Sequence, residues 1–187
     1  YNPNQRRTLF ISLVRSLLEH CSPIWAPYQV GILNSLEAAQ KRSIKWIYGI
    51  SHLTSWNDET YFSNLVSLNI LPIHIQFSFN DMKFFYKVLN SLVPVSLPNY
   101  LHFKSSSDIT YTTRSNINVA NNSDYTTLYC SVKPNSAVFR NSFFHRSYIY
   151  WNSLPITIRQ LPTYSSFCYH LKKHLFSSIH SLSPNTS

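Results

Sequence analysis

The stretch Ile149–Leu175, IYWNSLPITIRQLPTYSSFCYHLKKHL, holds most of what decides the fold. It contains two Leu-Pro breaks seven residues apart, Leu154-Pro155 and Leu161-Pro162, and no acidic residue. Proline cannot continue a helix interior, because it lacks an N–H and its ring collides with the preceding turn. The pattern therefore predicts a helix over "RNSFFHRSYIYWNSLP" that ends at Asn152 and is stopped by Pro155. A final helix follows over "TYSSFCYHLKKHLFSSI", capped by Thr163, with Phe167, Leu171 and Leu175 facing inward. Trp151 at the junction is read as a packing anchor between the two helices, and Pro155 as the structural corner. The same stretch is basic and aromatic, which raises the question of what it serves.

Working outward, "LPIHIQFSFNDMKFFYKVLNSLVP" (71–94) predicts a long helix begun near Pro72 and closed before Pro94. Ile73, Phe77, Phe84, Val88 and Leu92 form its apolar side. "SWNDETYFSNLVSLNI" predicts a shorter helix starting near Asn57, with Asp58 and Glu59 favouring its first turn through the helix dipole. "GILNSLEAAQKRSIKWIYG" predicts a helix between Gly31 and Gly49, the latter as its C-terminal cap. Leu33, Leu36, Ile44 and Ile47 lie on or near one face, and Lys41, Arg42 and Lys45 lie together on another. "RRTLFISLVRSLLEHC" predicts a first helix capped by Thr8, broken by Pro23 and Pro27 in a segment that holds Trp25, a second packing anchor.

Between Pro94 and Asp124, Ser, Asn, Thr and Pro dominate, and a flexible linker is expected. "YTTLYCSVK" alternates Leu128, Cys130 and Val132 with other residues and predicts a short strand near 125–133. The expected fold is mainly α: an irregular helical bundle with a Ser/Asn-rich linker and one small β element. The domains read as a helical region over 1–93, a linker over 94–124, a basic helical region over 125–180 and a disordered tail over 181–187.

Composition narrows the function. The 187 residues carry sixteen Lys/Arg against seven Asp/Glu, a net charge of +9, and no acid follows Asp124. Such a balance suits a polyanion. With two glycines in the chain, a P-loop, a dinucleotide-binding fingerprint and a GxSxG elbow are excluded. No run approaches the ~18–20 apolar residues of a membrane span, and no secretory signal is visible. Three scattered cysteines fit a reducing compartment, hence an intracellular setting, nucleus or cytoplasm. The chain begins at Tyr1 and its one methionine is Met82, so it reads as a piece of a longer protein or a trimmed form of one.

Catalytic groups are scarce. His170 and His174 share a helix face, but Cys168 lies about 200° round from His170, and two ligands make no structural zinc site. Cys130 or Cys168 with a distant His stays open as a nucleophile, against the bland reading that a thiol on an alternating strand is core. Asp58-Glu59 is explained by its place in a helix first turn, and scattered carboxylates build no two-metal site. No catalytic residue and no metal ligand is therefore assigned. The cations remain: Arg15, Lys41, Arg42, Lys45, Arg114, Arg140, Arg146, Arg159, Lys172 and Lys173. Interleaved rings such as Phe143, Tyr148 and Tyr169 give the mixture that holds single-stranded nucleic acid without sequence choice.

Five pieces in order carry a resemblance. They are "LFISLVRSLLEHCSPIWAPY" (9–28), "LEAAQKRSIKWIYGI" (36–50), "LNILPIHIQFSFNDMKFFYKVLNSLVP" (68–94), "TTRSN" (112–116) and "SFFHRSYIYWNSLPITIRQLPTYSSFCYHLKKHL" (142–175). Together they resemble the region after the polymerase palm in non-LTR retrotransposon reverse transcriptases of the jockey-like or chicken-repeat-like type. The resemblance implies a mostly helical, thumb-like segment that helps hold template RNA, primer or target DNA. It also implies an upstream palm as a partner and magnesium held only by that palm. The aromatic-x-Asp-Asp turn of the palm and the Cys/His knuckle of some relatives are both absent here, so polymerase activity does not transfer to this chain. Two functions are expected from this: a noncatalytic RNA- and DNA-binding segment of a retroelement polymerase, or a protein-interaction fragment that packs on the palm.

Overall fold

A computed structural model describes residues 2–51, 53–104 and 126–182, with the backbone alone for 180–182. Helix α1 spans Pro3–Leu9 and runs through a π-helical turn, Phe10–Arg15, into α2, Ser16–Glu19. Short α3 (Ser22–Trp25), long α4 (Val30–Tyr48), α5 (Asp58–Ser67) and long α6 (Ile73–Leu89) follow. Strands β1 (Leu101–Phe103) and β2 (Leu128–Cys130) pair antiparallel, His102 opposite Tyr129. Then come α7 (Ala137–Arg140), α8 (Phe143–Ser153), α9 (Ile156–Arg159) and α10 (Tyr164–Leu182). The fold is mainly helical, as expected, and among the described residues it has one two-stranded sheet where a single short strand was expected.

Local signals account for most boundaries. Asn57 Oδ1 accepts the Thr60 amide at 2.8 Å and starts α5 with Asp58 and Glu59 in its first turn. Thr163 Oγ1 accepts from the Ser166 amide at the start of α10. Gly49 closes α4 at φ 69°. The left-handed backbone calls for glycine, and a Cβ there would also displace the Arg6 Nη1 end, 2.9 Å away.

Three helical expectations change. The first helix starts at Pro3, not at Thr8, because Asn2 and Gln5 form a reciprocal capping box and Pro3 suits the first turn. Thr8 instead donates to the Asn4 carbonyl inside the helix. Helix α6 ends at Leu89, so Leu92 is exposed, and burial extends beyond one stripe to Ile75, Phe79, Met82, Phe85 and Tyr86. Pro155 begins a further turn, α9, where a plain connection was expected: its carbonyl accepts the Ile158 and Arg159 amides. The span read as a linker contains β1, whose partner strand lies on the far side of that span. Its residues 105–124, Arg114 included, lie outside the described residues, as do 183–187 of the expected tail.

The chain divides into two compact units, and the division groups residues differently from the domains read in the sequence. Unit 1 is Tyr1–Asp81 with Leu171–Ser187, and unit 2 is Met82–His170. The core of unit 1 gathers Phe10, Ile44, Ile47, Tyr61, Leu65, Leu68 and Ile70, with Trp56 and Phe62 against it. Beside this core runs a buried polar network. The Arg15 guanidinium, 4% exposed, donates to Glu19 Oε1 at 2.6 Å, Gln76 Oε1 at 2.9 Å, the Leu71 carbonyl at 3.0 Å and Gln40 Oε1. Gln76 continues to Asn80, and Asn80 donates to Ser22 Oγ. Gln40 donates to Tyr61, whose hydroxyl donates to Glu37 Oε1 at 2.5 Å. The Ile73 amide reaches Glu37 Oε2 at 2.7 Å and so ties the start of α6 to α4. A buried charge is tolerated only when paired and hydrogen-bonded, and every arm of this guanidinium is occupied.

Burial alone would raise the Glu37 carboxyl. His74 beside it, the Tyr61 hydroxyl and the Ile73 amide outweigh burial and hold it below the usual 4.5. Burial first, and then the Glu37 charge, pushes the Tyr61 phenol upward. A carboxyl whose pKa is lower folded than unfolded stabilises the fold above its unfolded value and loses that contribution as pH falls through the folded value. The urea midpoint of the wild type therefore falls more steeply than that of Glu37→Gln below about pH 4.5, and the gap between them narrows. Parallel pH profiles in urea melts would show that Glu37 is not held this way.

Candidate nucleic-acid interface

Unit 2 builds its site on the β1–β2 pair, and the opening stretch holds that pair in place. Asn152, at the end of α8, acts as a clamp on β2: its Oδ1 accepts the Leu128 amide at 3.0 Å and its Nδ2 donates to the Leu128 carbonyl at 2.7 Å. One side-chain amide thus satisfies both polar groups of a backbone position on a sheet edge. Trp151 Nε1 donates to the Thr126 carbonyl at 2.8 Å, and Arg159 Nη1 to Thr127 Oγ1 at 3.0 Å. The Trp151 ring, 2% exposed, packs against Phe85 and Phe167, each at 5.9 Å.

Alternation along the strands sorts their faces. Leu101 and Leu128 are buried, while His102 and Tyr129 meet on the opposite face, ring centroids 5.3 Å apart. Exposed Lys104 follows β1 by one residue, and exposed Lys133 follows β2. Tyr100, just before β1, packs on Phe139 at 5.3 Å, and Phe139 on His145 at 5.3 Å. That contact brings α7, with exposed Arg140 at its end, to the start of β1. His145 Nδ1 lies 3.0 Å from the Arg140 carbonyl. A carbonyl only accepts, so Nδ1 carries the hydrogen. Nε2 is buried with no hydrogen-bond partner among the described residues.

Burial holds several phenols of unit 2 above their ordinary range. Burial, reinforced by Cys130, raises Tyr100 and Tyr148. Burial, with the Cys168 thiol hydrogen-bonded beside it, pushes Tyr164 up to about 12. The described residues of unit 2 carry seven Lys/Arg (Lys83, Lys87, Lys104, Lys133, Arg140, Arg146 and Arg159) and no Asp or Glu. Cations also lie over rings: Lys87 over Tyr164 at 4.7 Å and Arg146 over Phe143 at 5.8 Å. Among the described residues no three His, Cys, Asp or Glu gather where they could hold a metal ion, and no helix is long and apolar enough to cross a membrane.

No family model, curated protein or solved structure matches the chain.

The cations assigned from sequence meet different fates. Arg15 is the buried centre of the network in unit 1 and is corrected from a surface contact to a structural residue. Lys41, Arg42 and Lys45 do not share a solvated face. Lys41 lies 3.4 Å from Asp58 and over the Tyr61 ring. Lys45 is buried, donates to the Thr54 carbonyl and lies over the Trp56 ring. Arg42 alone of the three is exposed. The reason is geometric: the segment after α4 folds back along that face, so two of its cations meet acceptors there. Arg146 and Arg159 are half-buried and donate to the Asn141 and Leu154 carbonyls. Lys172 is half-buried over the Phe176 ring, and Lys173 is exposed. Of the anchors, Trp151 is fully packed. Trp25 meets Phe77 edge-on at 5.3 Å and donates to the His20 carbonyl, yet remains 41% exposed. Pro155 is exposed at the head of α9.

His102, Tyr129, Lys104 and Lys133 were not assigned from sequence. The alternation in "YLHFK" (100–104) carries the signal, but it sits at the edge of a Ser/Asn-rich span that reads as linker.

Proposed function

We propose that this chain is a noncatalytic, post-palm segment of a non-LTR retrotransposon reverse transcriptase, and that unit 2 holds RNA or single-stranded DNA without sequence choice. The observation that carries the reading is the one-signed charge of the described residues of unit 2 beside the exposed His102 ring and half-buried Tyr129. Lys104, Lys133 and Arg140 supply cations for phosphates, and the His102–Tyr129 pair offers ring surface on which bases stack. A segment of this kind works where template RNA and target DNA are, in the nucleus or cytoplasm.

Titration of a labelled 20-nucleotide RNA at several salt concentrations tests the reading. Each phosphate contact contributes a slope of ~0.7 in log affinity against log salt for single strands. Changing Lys104, Lys133 and Arg140 together to Gln lowers affinity at every salt and reduces the slope by roughly 2. Binding that ignores salt, absence of binding at low salt, or an unchanged slope in the triple variant overturns the proposal.

A further inference from the structure

Unit 1 carries a groove of about 620 Å³ lined by Leu9, Phe10, Leu13 and Val14 on one side and Ala39, Arg42, Ser43 and Trp46 on the other. Ala39, Ser43 and Trp46 stand at i, i+4 and i+7 on α4, so they form one row along the helix. The two small members leave a channel beside Trp46. Leu13 in the wall of the groove is 61% exposed, and apolar exposure continues beyond the groove at Leu17, one turn on and 75% exposed. Side-chain rows of one helix pack into such channels between the rows of another. An apolar surface that runs past the groove along the helix exceeds what a small molecule would cover.

Charge specifies the occupant further. Arg42 is exposed at the groove and pairs with no carboxylate among the described residues, whereas Arg15 is paired with Glu19 and Lys41 with Asp58. Arg6 reinforces the positive end: it lies over the Trp46 ring at 5.7 Å and donates to the Trp46 carbonyl. We infer that this groove receives an amphipathic helix of a protein partner, with an apolar stripe along the groove and a carboxylate facing Arg42. The inference stands apart from the nucleic-acid reading, since every residue it uses is in unit 1.

The probe is a fluorescein-labelled, hydrocarbon-stapled 16-residue helix with Leu at i, i+4, i+7 and i+11 flanked by Glu, and a twin with Lys for Glu. Anisotropy on the full chain is expected to show the Glu peptide binding roughly fivefold more tightly than the Lys twin. Arg42→Glu reverses that preference, and Leu13→Asp abolishes binding of both while melting as the wild type does, both positions being exposed. RNA titration of the same two variants stays unchanged, which separates this surface from the one in unit 2. Three outcomes overturn the inference: neither peptide binds, both bind alike in wild type and Arg42→Glu, or sedimentation shows a second copy of the chain filling the groove and excluding the peptide.

Discussion

Trp151→Ala lowers the stability of unit 2 by about 3–5 kcal/mol, the range for truncating a buried Trp. The ring is 2% exposed and joins α8 to Phe85 of α6 and Phe167 of α10, so its loss opens a cavity that three helices cannot all close. The change also removes the Trp151 N–H from the Thr126 carbonyl at the entry to β2. That loss is a large share of the ~5–15 kcal/mol that stabilises a domain. Urea unfolding followed by far-ultraviolet circular dichroism measures it. Affinity for RNA falls with the folded fraction and returns where the variant is kept folded at low temperature. A variant that melts like the wild type but loses RNA would make Trp151 a stacking platform and overturn its role as an anchor.

Arg15→Met costs about 2–5 kcal/mol, since it leaves two buried amide oxygens without a donor, at roughly 1–3 kcal/mol each, and leaves Glu19, 28% exposed, without its cation. Methionine fills much of the volume but supplies no donor. Glu19 then loses its cation, the side-chain oxygens of Gln40 and Gln76 lose their donor inside unit 1, and the Leu71 carbonyl keeps only the Gln40 amide. An unpaired buried polar group carries its full desolvation cost, which exceeds the net gain of the bond it once made. The double variant Arg15→Met with Glu19→Gln recovers part of the loss, because the orphaned charge goes too. Melting the single and double variants side by side checks this. A wild-type melt for the single variant would show that the network contributes little. RNA affinity measured on folded Arg15→Met stays near wild type, since the guanidinium faces the interior and not solvent.

Legibility followed the range of the interaction that set each feature. Helices α4, α5, α6, α8 and α10 were readable because their signals are local: apolar residues three and four apart, Asn57 and Thr163 as caps, Gly49 as a stop and Pro155 as a break. The inward face of α10, Phe167, Leu171 and Leu175, followed from spacing alone. Strand β2 showed as alternation over three residues, while β1 was hidden because its hydrogen-bonding partner lies across the whole Ser/Asn-rich span.

The fate of each cation was not readable. Arg15 and Arg140 look alike in sequence, one apolar neighbourhood apart. One is the centre of a buried network, because Gln76 arrives from 61 positions away, and the other is exposed. Composition determined that the chain is basic, poor in carboxylates and without glycine-rich catalytic loops. Only tertiary structure decided that two cations of the α4 face are occupied, that unit 2 carries the one-signed charge among its described residues, and that Asn152 clamps a strand. The physical reason is that a side chain's charge is written in the sequence, whereas its partner is supplied by whichever distant segment the packing of the core brings beside it.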